Sequence, residues 1–433
     1  MTTEQGDELP RLLTKVPGEH SRTFLVRHRH VAAPMGPPRA SGGIVYSTAK
    51  GANVVDVDGN RYVDLAAGFG AELLGHAHPA VQRALGLQAE RLWHALGDVH
   101  PSDAKIALSE RLAALHPEPG AQVILGQSGS DAVGAALKTA LLASGKPGVV
   151  AFGAAYHGLG YGPLAACGLR ASYRAPFAAQ LSAHVRFCDY PTTDPAAAAT
   201  LAAVRQELAR GDVGALLIEP VLGRGGVLVP PSGFLRSLST LAAERGAAFI
   251  ADEIWTGLGR AGSWLSSVSE GVTPDLVCLG KGLGGGLPLS AVVGRRALMA
   301  AWRRDEEVVD TSTFAGAPLA CATALATLET LSREKLVERS ARLGGTWRDH
   351  VTAALDGVRG VSVRGVGLML GVDFGPRAGA AVAAVRSLLE RGFLATTGGG
   401  QREVLVLTPP LTIAEPLLAA ATAAITEAVR ETA

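Results

Sequence analysis

Residues 249–262 read FIADEIWTGLGRAG. An apolar run ends in two adjacent acids, Asp252 and Glu253, and glycines follow at 257, 259 and 262 in G-x-G-x-x-G spacing. That spacing marks a dinucleotide site only when the first glycine directly follows a strand, a helix follows the last, and an acid stands about 20 residues further on. Here five residues, Asp252 to Thr256, intervene, and the sequel SWLSSVSEGVTP is too short and interrupted to be that helix. The acids therefore carry the meaning, and the glycines turn the chain. Side chains alternate along an extended run, so Asp252 and Glu253 face opposite ways and Glu253 is read as structural.

The apolar run is one of seven. AQVIL (121–125), GVVAF (148–152), HVRF (184–187), GALLIEP (214–220), AAFIADE (247–253), DLVCLG (275–280) and LSAVVG (289–294) are interspersed with amphipathic stretches such as DAVGAALKTALLAS, PAAAATLAAVRQELAR and FLRSLSTLAAERG. Runs without in/out alternation, separated by helices, predict an α/β fold: a mostly parallel sheet with helices on both faces. After residue 330, SREKLVERSARLGGTWRDHVTAAL predicts one long connecting helix. The segment beyond it, with VSVRGVGLMLGVDF, a helix over 379–391, EVLVLTPP and a final Ala-rich helix, predicts a smaller α+β domain. Residues 1–40, running into VAAPMGPPRASGG, read as an irregular lead-in. The expected division is an N-terminal segment 1–75 packing with the small domain, a large domain 76–330 and a small domain 331–433.

Composition narrows the function classes. A net charge of +1 with 18% charged residues offers no basic field for nucleic acid, so small molecules are the expected partners. Cys167, Cys188, Cys278 and Cys321 are far apart and form no C-x-x-C pair, which argues against a zinc site or disulfide framework and fits a reducing cytoplasm. The start, MTTEQGDELPRLLTK, carries acids where an export signal needs a basic start and an apolar run. The uncharged stretches 147–169 and 311–328 are interrupted by Gly, Pro, Ser, Thr or His and read as buried segments, not membrane spans. No metal site is expected.

Lys281 follows DLVCLG directly and precedes GLGGGLPLSA. A phosphate-loop lysine comes after its glycines and before Ser or Thr, so that motif does not apply. Alone, Lys281 reads as a solvated loop lysine. Held by an apolar strand and a glycine loop, it would be desolvated, its pKa lowered and its neutral amine made nucleophilic. A carboxylate ending one strand (Asp252), a lysine ending another and a Gly/Ser turn opening a helix (SGSDA, 128–132) together meet the needs of pyridoxal phosphate. The lysine joins the aldehyde, the acid keeps the ring nitrogen protonated, and the helix N-terminus holds the phosphate.

Over nearly its whole length the chain also resembles the class III pyridoxal-phosphate-dependent aminotransferases, the ornithine, 4-aminobutyrate and ω-amino group transferases. The resemblance rests on YVDLAAGFGAELLGHAHPAV (62–81), GQSGSDAVGAALK, AYHG (155–158), LLIEPVLGRGGVLVPP, IADEIWTGLGRAG with PDLVCLGKGLGGGLPLSAVVG, and STFAGAPLACATAL (312–325). It implies the pyridoxal-phosphate transferase fold type I, with Lys281 as Schiff-base lysine and Asp252 as partner of the ring nitrogen. Ser128, Gly129 and Ser130 would bind phosphate, aided by Thr313 of a second subunit, which makes the working unit a homodimer with shared sites. Tyr156 would stack on one ring face and Ile254 on the other, with His157, Glu219 and Trp255 completing the surroundings. The implied reaction moves an amino group between an amine or ω-amino compound and an oxo-acid.

The pattern breaks at two places. The family arginine that clamps the substrate α-carboxylate, three residues before Pro-Pro, is Val406 in VLVLTPPL, and a second arginine, after Tyr-His-Gly, is Leu159. Three consequences stay open: an amine donor, with Trp93, Trp255 and Phe69 as candidates to line the entrance; a carboxylate partner from Arg402, Arg170 or Arg174; or a racemase or aminomutase. A nicotinamide oxidoreductase is the alternative outside the cofactor class. In members with the first arginine an acid pairs with it, and Glu219 is that acid by resemblance; here it would bind a cationic substrate or be satisfied by Arg224. His76, His78 and His157 read as loop hydrogen-bonders.

Overall fold

The computed structural model describes residues 6–34, 43–303 and 308–432. Strands β1 (Tyr46–Lys50), β2 (Asn53–Asp56) and β3 (Arg61–Asp64) precede the central set. That set is β4 (Gln122–Gly126), β5 (Gly148–Phe152), β6 (Val185–Cys188), β7 (Val213–Ile218), β8 (Ala248–Asp252), β9 (Leu276–Leu279) and β10 (Ser290–Gly294). Five more follow: β11 (Ser362–Val366), β12 (Met369–Asp373), β13 (Phe393–Leu394), β14 (Thr396–Gly398) and β15 (Val404–Leu407).

The central sheet has the order β4-β10-β9-β8-β7-β5-β6. All seven strands expected from the sequence are present; only β10 is reversed, antiparallel to both β4 and β9. Residues of β7, β8, β9 and β10 are buried throughout, as helices on both faces require. Alternate residues serve opposite layers. On one face Ala132, Val133, Ala136 and Ala140 of the helix Gly129–Ser144 pack against Leu217, Ile250, Cys278 and Val292. On the other, Leu235, Leu238 and Ala242 of the helix Phe234–Glu244 meet Leu216, Ile218, Phe249 and Ala251. Because β4, β5, β7, β8 and β9 run the same way, their carboxyl ends share one edge.

The C-terminal region is an antiparallel sheet, β11-β12-β15-β14. β13 leaves it and pairs in parallel with β3, so the chain after residue 43 is tied to the C-terminal region. Three expectations are corrected. The charged stretch 332–355 is the end of one helix, Pro318–Arg333, and the whole of another, Leu336–Ala354; Lys335, at φ 52°, breaks them. The first helix packs Cys321, Ala324, Leu328 and Leu331 into the main core, and the second presents Leu343, Trp347 and Val351. The lead-in 1–40 contains a helix, Glu19–Val31, whose amides at His20 and Ser21 are capped by Asp58 (2.7 and 2.9 Å); residues 1–5 and 35–42 lie outside the described residues. The three N-terminal strands also went unread, because VVD and RYVD are too short to show a period.

The helix Leu336–Ala354 carries two adjacent glycines that differ in environment. A Cβ on Gly344 would stand 1.9 Å from the carbonyl oxygen of Gly367, whereas one on Gly345 meets nothing within 4 Å. Gly344→Ala is expected to cost about 1–3 kcal/mol by forcing the helix off that turn. Gly345→Ala should gain roughly 0.5–1 kcal/mol by removing backbone freedom from the unfolded chain. Opposite shifts in denaturant midpoint for the two variants check the contact.

Candidate active site

Five of the six co-aligned strand ends deliver the candidate residues to one edge. After β4 the chain turns into the helix Gly129–Ser144 through a capping box: the Ser128 hydroxyl accepts from the Asp131 amide (3.2 Å), and Asp131 accepts from the Ser128 amide (2.9 Å). The Gly129 and Ser130 amides are left without a partner among the described residues, at the positive end of a 16-residue helix. A Cβ at 129 would stand 2.8 Å from Ile254 Cδ1, so a larger residue there would displace the Ile254 side chain. Ser130 Oγ accepts from the Gly160 amide (3.0 Å), which draws the loop after Tyr156 over the helix start.

β8 ends at Asp252, which is 3% exposed. A buried carboxylate needs partners. Oδ2 lies 2.7 Å from His157 Nδ1 and Oδ1 accepts from the Ile254 amide (3.1 Å). Glu253 faces away, as expected, and accepts from Thr256 Oγ1 and from the amide and hydroxyl of Ser267. Lys281 follows β9 with a left-handed backbone (φ 43°), and its Nζ lies 4.6 Å from the centre of the Trp255 ring. Burial pushes its amine down to about 8, against the pull of Asp252 and Glu219 in the other direction, and Arg224 lowers it further.

β7 leads to Glu219, where the structure replaces the reading that Arg224 satisfies this acid. Oε1 accepts from the Tyr156 amide (2.7 Å) and Oε2 from the Gly223 amide (3.1 Å), so backbone amides and not Arg224 are its partners. Burial raises its carboxyl to about 7, with the nearby His157 opposing. Arg224 instead lies over the Tyr156 ring (4.7 Å) and near the Phe69 ring (5.9 Å). Trp255 is buried beneath Lys281, in an apolar cluster with Val221, Val227, Met369, Val404 and Val406. A Cβ at Gly70 or Gly223 would stand 2.4 Å from its indole, so both glycines make room for it. Phe69 is exposed over the cleft, and Trp93 stands out at 66% exposure.

Other candidates fall elsewhere. His76 bonds Asp64 (2.9 Å) and His78 caps the helix Pro79–Ala89, so neither is brought to Lys281. Gly259 and Gly262 turn the chain against Val337, Leu411 and Ala341, beside the C-terminal region. Thr313 is exposed, and its neighbour Ser312 accepts from Gln127 Nε2 (3.0 Å), which puts this segment beside the helix start. Arg224 is the residue that sequence reading missed as a site member; its signal was GRGG, a lone cation between glycines directly after the acid-proline strand end.

The residues present fit pyridoxal phosphate: two unclaimed amides at a helix N-terminus suit a phosphate dianion, and an anchored carboxylate faces the same cleft as a lysine of lowered basicity. Among the described residues no group of three or more His, Cys, Asp or Glu is gathered for a metal, and no helix is long and apolar enough to cross a membrane.

Comparison with known proteins agrees with this arrangement. Residues 37–429 match the family described as Aminotransferase class-III. An acetylornithine aminotransferase of Methanosarcina mazei is 36% identical over 372 residues, 86% of this chain and 88% of that one. A 4-aminobutyrate aminotransferase of Mycobacterium tuberculosis is 34% identical over 94% of this chain and 95% of its own. Among solved structures, the ornithine aminotransferase from Toxoplasma gondii superposes with a TM-score of 0.86 at 30% identity, covering 96% of each chain. An amine transaminase from an uncultivated Pseudomonas species, in its PLP-bound form, gives 0.85 at 28% identity, over 93% of this chain and 98% of that one.

The lowered basicity of Lys281 has a consequence for stability. Its folded value of about 8 lies below the ordinary 10.5, so below pH 8 the amine is charged in both states and the native state bears the whole cost. That cost fades as pH rises from 8 to 10.5. Lys281→Met is therefore expected to raise the melting temperature of the ligand-free protein at pH 7, by a margin that shrinks steadily above pH 8. A pH-independent difference would contradict the assignment.

Proposed function

The chain belongs to the class-III aminotransferases and is a pyridoxal-phosphate-dependent transaminase; we propose that Lys281 carries the cofactor, and that an amine or ω-amino compound and an oxo-acid are the substrates. The observation that supports this most is the convergence at one sheet edge of Lys281, the Asp252–His157 pair and the open helix start at Gly129 and Ser130. Bound pyridoxal phosphate supplies a ring that takes up the electron pair released when a substrate C–H bond breaks. Asp252, held by His157 and the Ile254 amide, keeps a proton on the ring nitrogen. Lys281 Nζ, its basicity reduced by burial, would accept the proton from the substrate carbon bearing nitrogen and donate it to the carbon on the other side of that nitrogen. Ser128, Gly129 and Ser130 hold the phosphate, Tyr156 and Ile254 bracket the ring, and Glu219 holds the Tyr156 backbone in place.

The donor reading draws on two facts. Val406 stands in a dry wall with Trp255, and Leu159 offers no charge, so neither position clamps an α-carboxylate. The relatives are named for acetylornithine and 4-aminobutyrate, compounds with an amino group at the chain end. The racemase or aminomutase reading has less support, as those relatives are aminotransferases. Borohydride treatment of the holoenzyme followed by peptide mapping is expected to fix the label on Lys281, and Lys281→Ala should abolish amino transfer. A label elsewhere would sink the assignment.

We also propose a cytoplasmic homodimer in which Thr313 of one subunit reaches the phosphate of the other, and a division into segments 1–75, 76–330 and 331–433. Support for the dimer comes from an exposed apolar patch beside the helix start: Trp93, Leu96 and Val99 stand next to Phe314, which contacts His94 at 5.2 Å. Support for the cytoplasm comes from four free, buried cysteines, and for the division from the pairing of β13 with β3. Leu96→Asp with Val99→Asp is expected to shift the sedimentation coefficient to that of a monomer and to weaken cofactor retention. A variant that stays dimeric would exclude this patch.

A further inference from the structure

The two arginines by which relatives of this family hold carboxylates are Val406 and Leu159 here, yet an oxo-acid acceptor carries a carboxylate that must be held. Three other guanidiniums were candidates. Arg170 donates to the carbonyls of Gly400 (2.7 Å) and Gly399 (3.0 Å), and Arg174 donates to the carbonyl of Cys167 while its guanidinium covers the Phe187 ring. Arg402 is exposed on the turn after β14. None of them is free and in the cleft.

Arg224 is both. Among the described residues its guanidinium makes no hydrogen bond or ion pair, although the residue is only partly exposed. Its guanidinium is held instead by rings, 4.7 Å from the centre of Tyr156 and 5.9 Å from that of Phe69. Stacking holds the planar fork while leaving its N–H edge available, an arrangement suited to bidentate capture of a carboxylate. Phe69 supports this at a cost to itself: an exposed aromatic at φ 59° is a strained placement, of the kind that persists at binding sites. The nearest acids do not compete. Glu219 is spent on the Tyr156 and Gly223 amides, and Asp252 on His157 and the Ile254 amide. The backbone carbonyl of Arg224 accepts from the Gly399 amide (2.8 Å), and a Cβ on Gly398 would touch both that carbonyl and Val406. Arg224 therefore adjoins the wall on which the missing arginine would stand. Its charge also acts on the Lys281 amine, which places it within electrostatic reach of the reacting centre.

We propose that Arg224 is the carboxylate-recognition residue of this site, receiving in its guanidinium fork the carboxylate of the oxo-acid acceptor and of any ω-amino acid donor. The inference rests on the transaminase reading for the identity of the substrates, but not for the existence of the anion site.

The test uses the holoenzyme and its Arg224→Gln and Arg224→Lys variants, with melting temperatures to establish folding. Each half-reaction is followed separately: 4-aminobutyrate and butylamine as donors with and without a carboxylate, then pyruvate as acceptor. Arg224→Gln should lower the kcat/KM ratio of 4-aminobutyrate to butylamine, and raise KM for pyruvate, each by about ten- to a hundredfold, the usual worth of a charged hydrogen bond. Arg224→Lys should recover part of the loss, since it keeps the charge without the fork. A loss confined to pyruvate would assign the site to the acceptor, and one confined to 4-aminobutyrate to the donor. Butanoate, which cannot react, should bind the wild type and lose affinity by a similar factor in Arg224→Gln when titrated calorimetrically. Active enzyme with unchanged ratios and unchanged butanoate affinity overturns the proposal and leaves transamination standing. Butanoate binding that depends on Arg224, in a protein that transfers no amino group, would leave the anion site standing and sink the transaminase reading.

Discussion

A carboxylate taken almost wholly out of water has to be paired, and the arrangement around Asp252 follows from that requirement. At the end of the fully buried β8 it meets His157 at 2.7 Å and the Ile254 amide at 3.1 Å. The first partner fixes the loop after β5, on which Tyr156 sits, and the second fixes the turn carrying Ile254 and Trp255. Three neighbouring side chains are thus positioned by satisfying one acid. Glu219 repeats the device one strand over, joining the Tyr156 amide to the Gly223 amide. Backbone amides do for Glu219 what Arg224 was expected to do.

The apolar wall has the opposite logic. Val406 packs with Trp255, Met369 and three further valines, and an arginine there would bury a charge against hydrocarbon. With that wall dry, Trp255 can lie flat beneath Lys281, where its ring face attracts an ammonium while its bulk strips away water. Desolvation is the stronger of the two effects, since the amine is pushed down to about 8 despite two nearby acids. Arg224, on the loop beside this wall, instead holds its guanidinium against the rings of Tyr156 and Phe69.

Much of this was legible from residue order. Seven apolar runs became seven strands within about two residues of their expected ends; those at the sheet centre are buried on both faces and leave no choice of pattern. Asp252, Lys281 and the SGSDA helix start could be found because each directly follows such a run. What failed was local or non-local in a specific way. The break at Lys335 carries no Gly or Pro to announce it, and both helices pack into the same core. β1 to β3 gain their identity from pairing, including with β13 more than 300 residues away, which no short window reveals.

Alone, the order of residues determined which strands are buried, which side chains stand at their ends, and hence the chemistry available along one edge. The tertiary structure decided which of those groups are already spoken for. Asp252 and Glu219 look alike in sequence, as do Arg170, Arg174 and Arg224. Whether a charged group is free depends on hydrogen-bond partners brought from distant loops, and partner choice is settled by packing in three dimensions, where every buried polar atom must be satisfied.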